Sequence, residues 1–393
     1  MNKLKNLARR FSKDTDWLLL GLCIIASAFG CLAVYSATTI DIAEGAAYSR
    51  DFRTMVLAVA MGLVGALIIS FIDYELIIKA WPAIAAFCVL IMAATFIWGV
   101  GPASRSDVKT WLVLGNTGLY FQPSELVKIG FIITFGMHID IVRDKINRPL
   151  TLAMLAIHAL IPTALVVITG DLGSALIFLI IIIAMMFMGG LSLKYFIAAA
   201  VAVAAATPIA WKYLLKGLQK DRFLALIRPE EYPDVIYQQQ QGITAIGAGK
   251  FSGMGFLNGT YTQSGIVPEN ENDMIFSQIA EEFGFIGCLV ALGILTLIII
   301  KLFHTAKTSR DSAAALMCNG LAAMIAGHVI VNIGMCLMLL PVVGITLPFF
   351  SAGGSSNLCL YVGIGLALSI FRYSRERDAV SFNLSKIRTP FTE

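Results

Sequence analysis

The sequence predicts an all-α fold: a polytopic bundle of ten transmembrane helices, both termini cytoplasmic, with one large extracellular loop between spans seven and eight. Three observations carry this. Of 393 residues, 58% are hydrophobic and only 14% are charged, against about 45–50% and about 25% in soluble domains. Mean hydropathy is +0.80. The apolar residues are gathered into runs of the roughly 17–25 residues that cross a hydrocarbon core. That balance excludes intrinsic disorder, a disulfide scaffold and a basic nucleic-acid-binding domain. A net charge of +4 identifies no acidic ligand.

The runs lie near 17–36, 55–72, 79–98, 122–141, 150–168, 171–189, 193–214, 276–301, 312–338 and 353–372. The fourth is interrupted by Glu125, Lys128, His138 and Asp140. The chain then divides into a cytoplasmic tail (1–16), a membrane domain (17–372) containing the loop 215–275, and a second tail (373–393). Orientation follows from Lys and Arg near the spans. Lys3, Lys5, Arg9, Arg10 and Lys13 precede span one; Arg143, Lys145 and Arg148 follow span four; Lys301, Lys307 and Arg310 follow span eight. Arg372, Arg375, Arg377, Lys386 and Arg388 follow span ten. With ten spans all fall on one side, which is then cytoplasmic. The first span lacks a small-residue cleavage site and reads as a retained helix. Seven cysteines lie inside spans without a C-x-x-C pair, which reads as buried small apolar residues. His138, His158 and His328 read as lone, hydrogen-bonded bundle residues.

The elaborate loops, near 99–121, 215–275 and 339–352, then face outward, where a rigid scaffold lets loops carry function. No P-loop, helical H-E-x-x-H or strand-linked G-x-G-x-x-G is present. Four polar clusters remain. In Gln122-Pro123-Ser124-Glu125 the proline suits a first helical position, and Lys128 shares a face with Glu125. This is either a self-neutralising pair or a cation held for an anionic headgroup. Asp171, in a tight turn, caps span six or serves a ligand. In the large loop, Gln238 and Gln241 offer paired donors and acceptors suited to sugar hydroxyls. Asn270 or Asp273 either caps span eight or does chemistry. Glu281 and Glu282 lie two turns deeper, so one faces the bundle interior or a water-filled groove. Finally, Pro348 stops any helix before Gly353, Gly354, Ser355 and Ser356, whose free N–H groups favour anions. Asn332, late in span nine, needs a partner.

These residues resemble the SEDS family (shape, elongation, division, sporulation), of the RodA, FtsW and SpoVE type. Gln122-Pro123-Ser124-Glu125 with Lys128 resembles its Q-P-S-E-x-x-K signature, and Asp171-Leu172-Gly173-Ser174-Ala175 its D-L-G-[ST]-A turn. Tyr237-Gln238 with Gln241 resembles Y-Q-x-x-Q-S; Asp273-Met274-Ile275-Phe276 before Ala280-Glu281-Glu282 resembles D-F-I-F…A-E-E. Leu347-Pro348-Phe349 with Gly353–Ser356 resembles L-P-F-[VI]-S-Y-G-G-S-S. The chain departs from the pattern at Thr110, Thr169-Gly170, Gly242 and Ala352, where Arg, Gln-Pro, Ser and Tyr are usual.

The resemblance implies a membrane peptidoglycan glycosyltransferase that polymerises lipid II from an undecaprenyl-pyrophosphate-linked glycan, with a class B penicillin-binding protein as partner. It places the essential acid on Asp273. An α-linked donor and a β-1,4 product imply a single inversion, with Asp273 as base and Lys128 at the departing pyrophosphate. Lys109 and the Gly353–Ser356 turn are further candidates for that role. A divalent cation (Mg or Mn) is compatible with this chemistry, although no metal-ligand cluster appears in the sequence. Two alternatives are a lipid II flippase and a non-catalytic scaffold that activates a transpeptidase.

Overall fold

A computed structural model of the protein describes residues 15–42, 46–101, 108–113, 115, 120–213, 217–309 and 311–387. Several residues that set the expected orientation, Lys3 to Lys13, Arg310 and Arg388, lie outside them. A helix occupies each expected span: α1 (Trp17–Ala37), α2 (Arg50–Ser70), then a short α3 (Tyr74–Lys79) leading into α4 (Trp81–Trp98). There follow α5 (Pro123–Ile141), α6 (Pro149–Ile168), α7 (Leu172–Met188) and α8 (Leu193–Tyr213). After the large loop come α12 (Ile275–Thr308), α13 (Ser312–Cys336) and α14 (Gly354–Ile387). Among the described residues, seven helices are long and apolar enough to cross a membrane, and α7 and α8 contribute shorter apolar segments. The chain is a multi-pass membrane protein.

Short polar residues start many of these helices. Asp16 accepts from the Leu19 N–H, Ser49 from Phe52, Asp171 from Ser174 and Asp311 from Ala313. Each satisfies one of the donors that a helix start leaves open. The centre of the bundle is α13, which packs against α12, α7, α5, α10 and α14. Small residues set the closest approaches: Gly365 of α14 lies on Ala66 of α2, and Gly62 lies under Tyr361. With no hydrophobic drive between helices in lipid, such close packing is what holds them. The helix α8 differs, because none of its residues 193–209 is buried.

Four expectations are corrected here. The fold is not purely helical, since β1 (Leu112–Val113) pairs antiparallel with β2 (Tyr120–Phe121), Leu112 opposite Phe121. The region 215–275 is not an open loop. It folds into α9 (Leu218–Ile227), α10 (Pro233–Ala248) and the one-turn α11 (Thr260–Gln263), and α10 lies along α12. The segment 339–352 is no exposed loop either: Ile345, Leu347, Phe349 and Phe350 are buried in the bundle.

The fourth correction concerns span eight, which is broken. Gly284 sits at φ 66°, ψ −165° inside α12, a region open essentially to glycine alone. The carbonyls of Glu281 and Glu282 lose their helical donors and accept instead from the N–H groups of Met254 (2.9 Å) and Gly255 (3.0 Å). On the other side of the break, Phe285 and Ile286 donate to Lys250 and Phe251. Segment 250–255 therefore replaces a helical turn, as a helix break among apolar segments requires. A Cβ at residue 284 would overlap the backbone of Gly253 and crowd Phe251 and Ser252. Gly284→Ala is expected to cost at least about 1–3 kcal/mol, read as a lower thermal midpoint of the purified protein in detergent.

Candidate functional site

The polar residues of the sequence gather into three connected groups around α13. The first surrounds Asp273, which lies just before α12. Neither Asn270 nor Asp273 caps that helix, whose N-cap is Met274 without a side-chain bond. Asn270 instead donates to the Thr262 carbonyl. Asp273 is 8% exposed. Its backbone carbonyl accepts from Asn332 Nδ2 at 2.8 Å, and its carboxylate accepts from Gln238 Nε2 at 3.3 Å. Burial, then the nearby Glu269 carboxylate, pushes the Asp273 carboxyl up to about 7; Glu271 adds to this and Arg222 opposes it. Few donors and two like charges make this a carboxyl that gives up its proton late.

The second group is Glu125, Lys128 and His328. Lys128 is fully buried. Its ammonium lies 2.8 Å from Glu125 Oε1 and 2.8 Å from His328 Nε2. An ammonium has only donors, so Nε2 accepts, and the ring proton sits on Nδ1, 3.2 Å from the Thr346 carbonyl. A small cavity of about 10 Å³, room for about one water, is lined by Glu125, His328, Pro348, Ser356 and Cys359, among others. The Glu125–Lys128 pair is internally neutralised, and Glu125 also lines this cavity.

The third group joins the starts of three helices. Asp171 Oδ2 accepts from Gln122 Nε2 (2.8 Å) and Ser124 Oγ (2.9 Å), while its Oδ1 caps α7. Ser355 Oγ accepts from the Gln122 N–H (3.0 Å) and donates to Tyr120 O (3.2 Å), tying α14 to β2 and α5. Ser356 pairs with Thr346 at 3.1 Å. Gly353 and Gly354 begin α14, where the Gly353 carbonyl accepts from Asn357.

A stapled backbone segment links the groups. The carbonyls of Leu340, Val342, Ile345 and Thr346 are held by Gln239, Arg222, Asn332 and His328 respectively, at 2.7–3.2 Å. His328 and Asn332 are one turn apart on α13, about 6 Å along its axis. One holds Lys128 and the other holds Asp273.

Two candidates move out of the site. Glu281 is fully buried, and its carboxylate accepts the Tyr261 and Thr262 N–H groups and the Thr262 hydroxyl at 2.6–2.9 Å. It anchors α11 and is committed to these three donors. Its neighbour Glu282 ties Ser36 of α1 and Gln263 to α12. Lys109 is exposed and turns back to the Phe96 carbonyl at 3.3 Å, away from Lys128. Gln241 is half-buried and has no hydrogen bond among the described residues. His138 and His158 are not lone: their Nδ1 atoms lie 2.9 Å apart. All seven cysteines are free thiols. Gly242 and Met274 depart from the motifs together, since a Cβ at 242 would overlap the Met274 methyl.

Sequence reasoning missed Gln239, Arg222 and the double role of His328. The signal for Gln239 was present, because Ile236, Gln239, Gly242 and Ala245 form the buried stripe of α10.

With the geometry described, comparison with known proteins decides the family. The model of the cell cycle protein family of FtsW, RodA and SpoVE matches residues 16–376. The chain belongs to this family. It is similar to the peptidoglycan glycosyltransferase MrdB of Escherichia coli (strain K12), with 33% identity over 88% of this chain and 91% of that one. It is also similar to a probable peptidoglycan glycosyltransferase FtsW of Trichlorobacter lovleyi, with 31% identity over 91% and 93%. Among solved structures, a chain from a peptidoglycan synthase complex that coordinates polymerization and crosslinking superposes with a TM-score of 0.77, at 26% identity over 92% of this chain and 99% of that one. The rod shape determining protein RodA of Thermus thermophilus superposes at 0.68, with 25% identity over 92% and 97%.

Glu281 gives the test of these assignments. Glu281→Gln replaces an acceptor by a donor opposite Thr262. It is expected to cost about 1.5–3 kcal/mol, the usual worth of hydrogen bonds to a charged group, read as a lower thermal midpoint and faster proteolysis between 249 and 265.

Proposed function

We propose that this chain polymerises lipid II into β-1,4 glycan strands at the outer face of a bacterial cytoplasmic membrane, as a ten-span peptidoglycan glycosyltransferase. The strands serve cell elongation, division or sporulation. Its relatives are peptidoglycan glycosyltransferases by name, which supports this reading. The synthase complex that it resembles supports a class B penicillin-binding protein as the crosslinking partner. The observation that carries the chemistry is Asp273: a buried carboxyl without capping duty, held near 7. A general base works best with a pKa near the operating pH.

In the reaction, Asp273 takes the proton of the acceptor's sugar 4-hydroxyl. The freed oxygen bonds to the donor's anomeric carbon from the face opposite the α-linked pyrophosphate. The anomeric C–O bond breaks, its electron pair leaves on the pyrophosphate, and undecaprenyl pyrophosphate is released. Inversion at one carbon gives the β linkage. Lys128 supplies the positive charge for the departing anion, and such preorganised charge is usually the largest catalytic term. Among the described residues no three His, Cys, Asp or Glu side chains converge as a metal site. A divalent cation would therefore draw most of its ligands from the pyrophosphate.

The raised Asp273 carboxyl sets two expectations. The base must be ionised, so kcat/KM rises with pH through about 7. Between about 4, its unfolded value, and about 7 the folded state binds the extra proton, so this group's contribution to stability falls as pH rises. Asp273→Asn, which carries no charge to desolvate, is expected to abolish polymerisation of lipid II by the purified complex. It should also unfold at an equal or higher temperature than wild type at pH 8. Near-wild-type activity in the folded variant would overturn the assignment.

A further inference from the structure

We infer that His328 is a positioning residue that fixes the Lys128 ammonium for the departing pyrophosphate. This rests on the leaving-group role proposed above for Lys128. An ammonium has three N–H donors. Two are engaged, with Glu125 and His328, and the third has no partner among the described residues. Glu125 is three residues away on the same helix, so it neutralises Lys128 without referring it to the rest of the bundle. His328 is the contact that does so, 200 positions away in the chain. Its ring is held at both nitrogens, because Nε2 accepts from Lys128 while Nδ1 donates to the Thr346 carbonyl.

Thr346 belongs to the stapled segment, and the next residue on the same face of α13, Asn332, holds both Ile345 O and Asp273 O. The charge for the leaving group and the base for the acceptor are thus referred to one helix face and one buried strand of backbone. A core histidine that only fills space would have no need to bridge a cation to that strand.

The test uses the full-length purified protein and farnesyl pyrophosphate, a short isoprenyl pyrophosphate, as the probe. His328→Leu is expected to raise its Kd about tenfold or more, the loss usual for a hydrogen bond to a charged group. The polymerisation kcat should fall similarly, with KM for lipid II changed by less than about twofold. His328→Gln keeps an acceptor for Lys128 and a donor for Thr346, and should recover most of both losses. In a Glu125→Gln/Lys128→Gln background, which has no ammonium to place, His328→Leu should change Kd by less than about twofold. A purely packing role gives the same loss in both backgrounds and no recovery with glutamine, and either result overturns the inference. If His328→Leu does not fold, His328→Met, apolar and of similar size, takes its place. If the double glutamine variant itself binds the probe as wild type does, the role of Lys128 falls and this inference with it. If the double variant binds weakly while His328→Leu does not, only the inference falls. Asp273→Asn tests the base separately, through polymerisation.

Discussion

Everything at the site depends on satisfying one stretch of non-helical backbone buried in a membrane bundle. Residues 340–346 form neither helix nor strand, yet Val342 and Ile345 are buried. A buried carbonyl left unmet costs about 1–3 kcal/mol. Four side chains from α9, α10 and α13 supply the donors. Because those donors come from three elements, the segment cannot move without breaking bonds to all three. The rigidity with which Asp273 and Lys128 are held follows from the same hydrogen bonds that make the segment tolerable.

The carboxylates near the start of α12 are separated by hydrogen bonding. Glu281 receives three donors, and Glu282 receives Ser36 and Gln263. Their charge stabilises the link between α11, α1 and the broken helix. Asp273 receives one long bond on its carboxylate, faces two other acids, and is driven up to about 7. Two acids become structural and the third holds its proton longer because their donors and neighbours differ. Buried polar atoms without partners also collect here: the Gln278 amide and Asn332 Oδ1. Incomplete satisfaction is common where a protein places function.

Much of this was legible in the sequence. The ten apolar runs each became a helix, Pro123 opens α5, and Asp171 caps α7. Gln238, an amide suited to sugar hydroxyls, lies beside Asp273. Glu281 reads as a substrate residue because a charge inside a span is costly, but cost does not say which partner relieves it. Lys109 is a candidate only as the cation nearest the position where the family's arginine is usual. Glycine and proline around Pro348 were correctly read as helix breakers. That the broken segment turns inward, held by α13, depends on residues elsewhere in the chain.

What the sequence by itself determined is where the ten long apolar helices lie, the helix starts at Pro123 and Asp171, and the small group of polar residues too expensive to be idle. Hydropathy and capping are local properties, so a window of about twenty residues contains them. Which polar residue answers which was decided only by the tertiary structure. Lys128 meets His328 across 200 positions, and Gln122 meets Asp171 across 49. A buried group is satisfied by whatever packing brings within about 3 Å, and no local window holds that information.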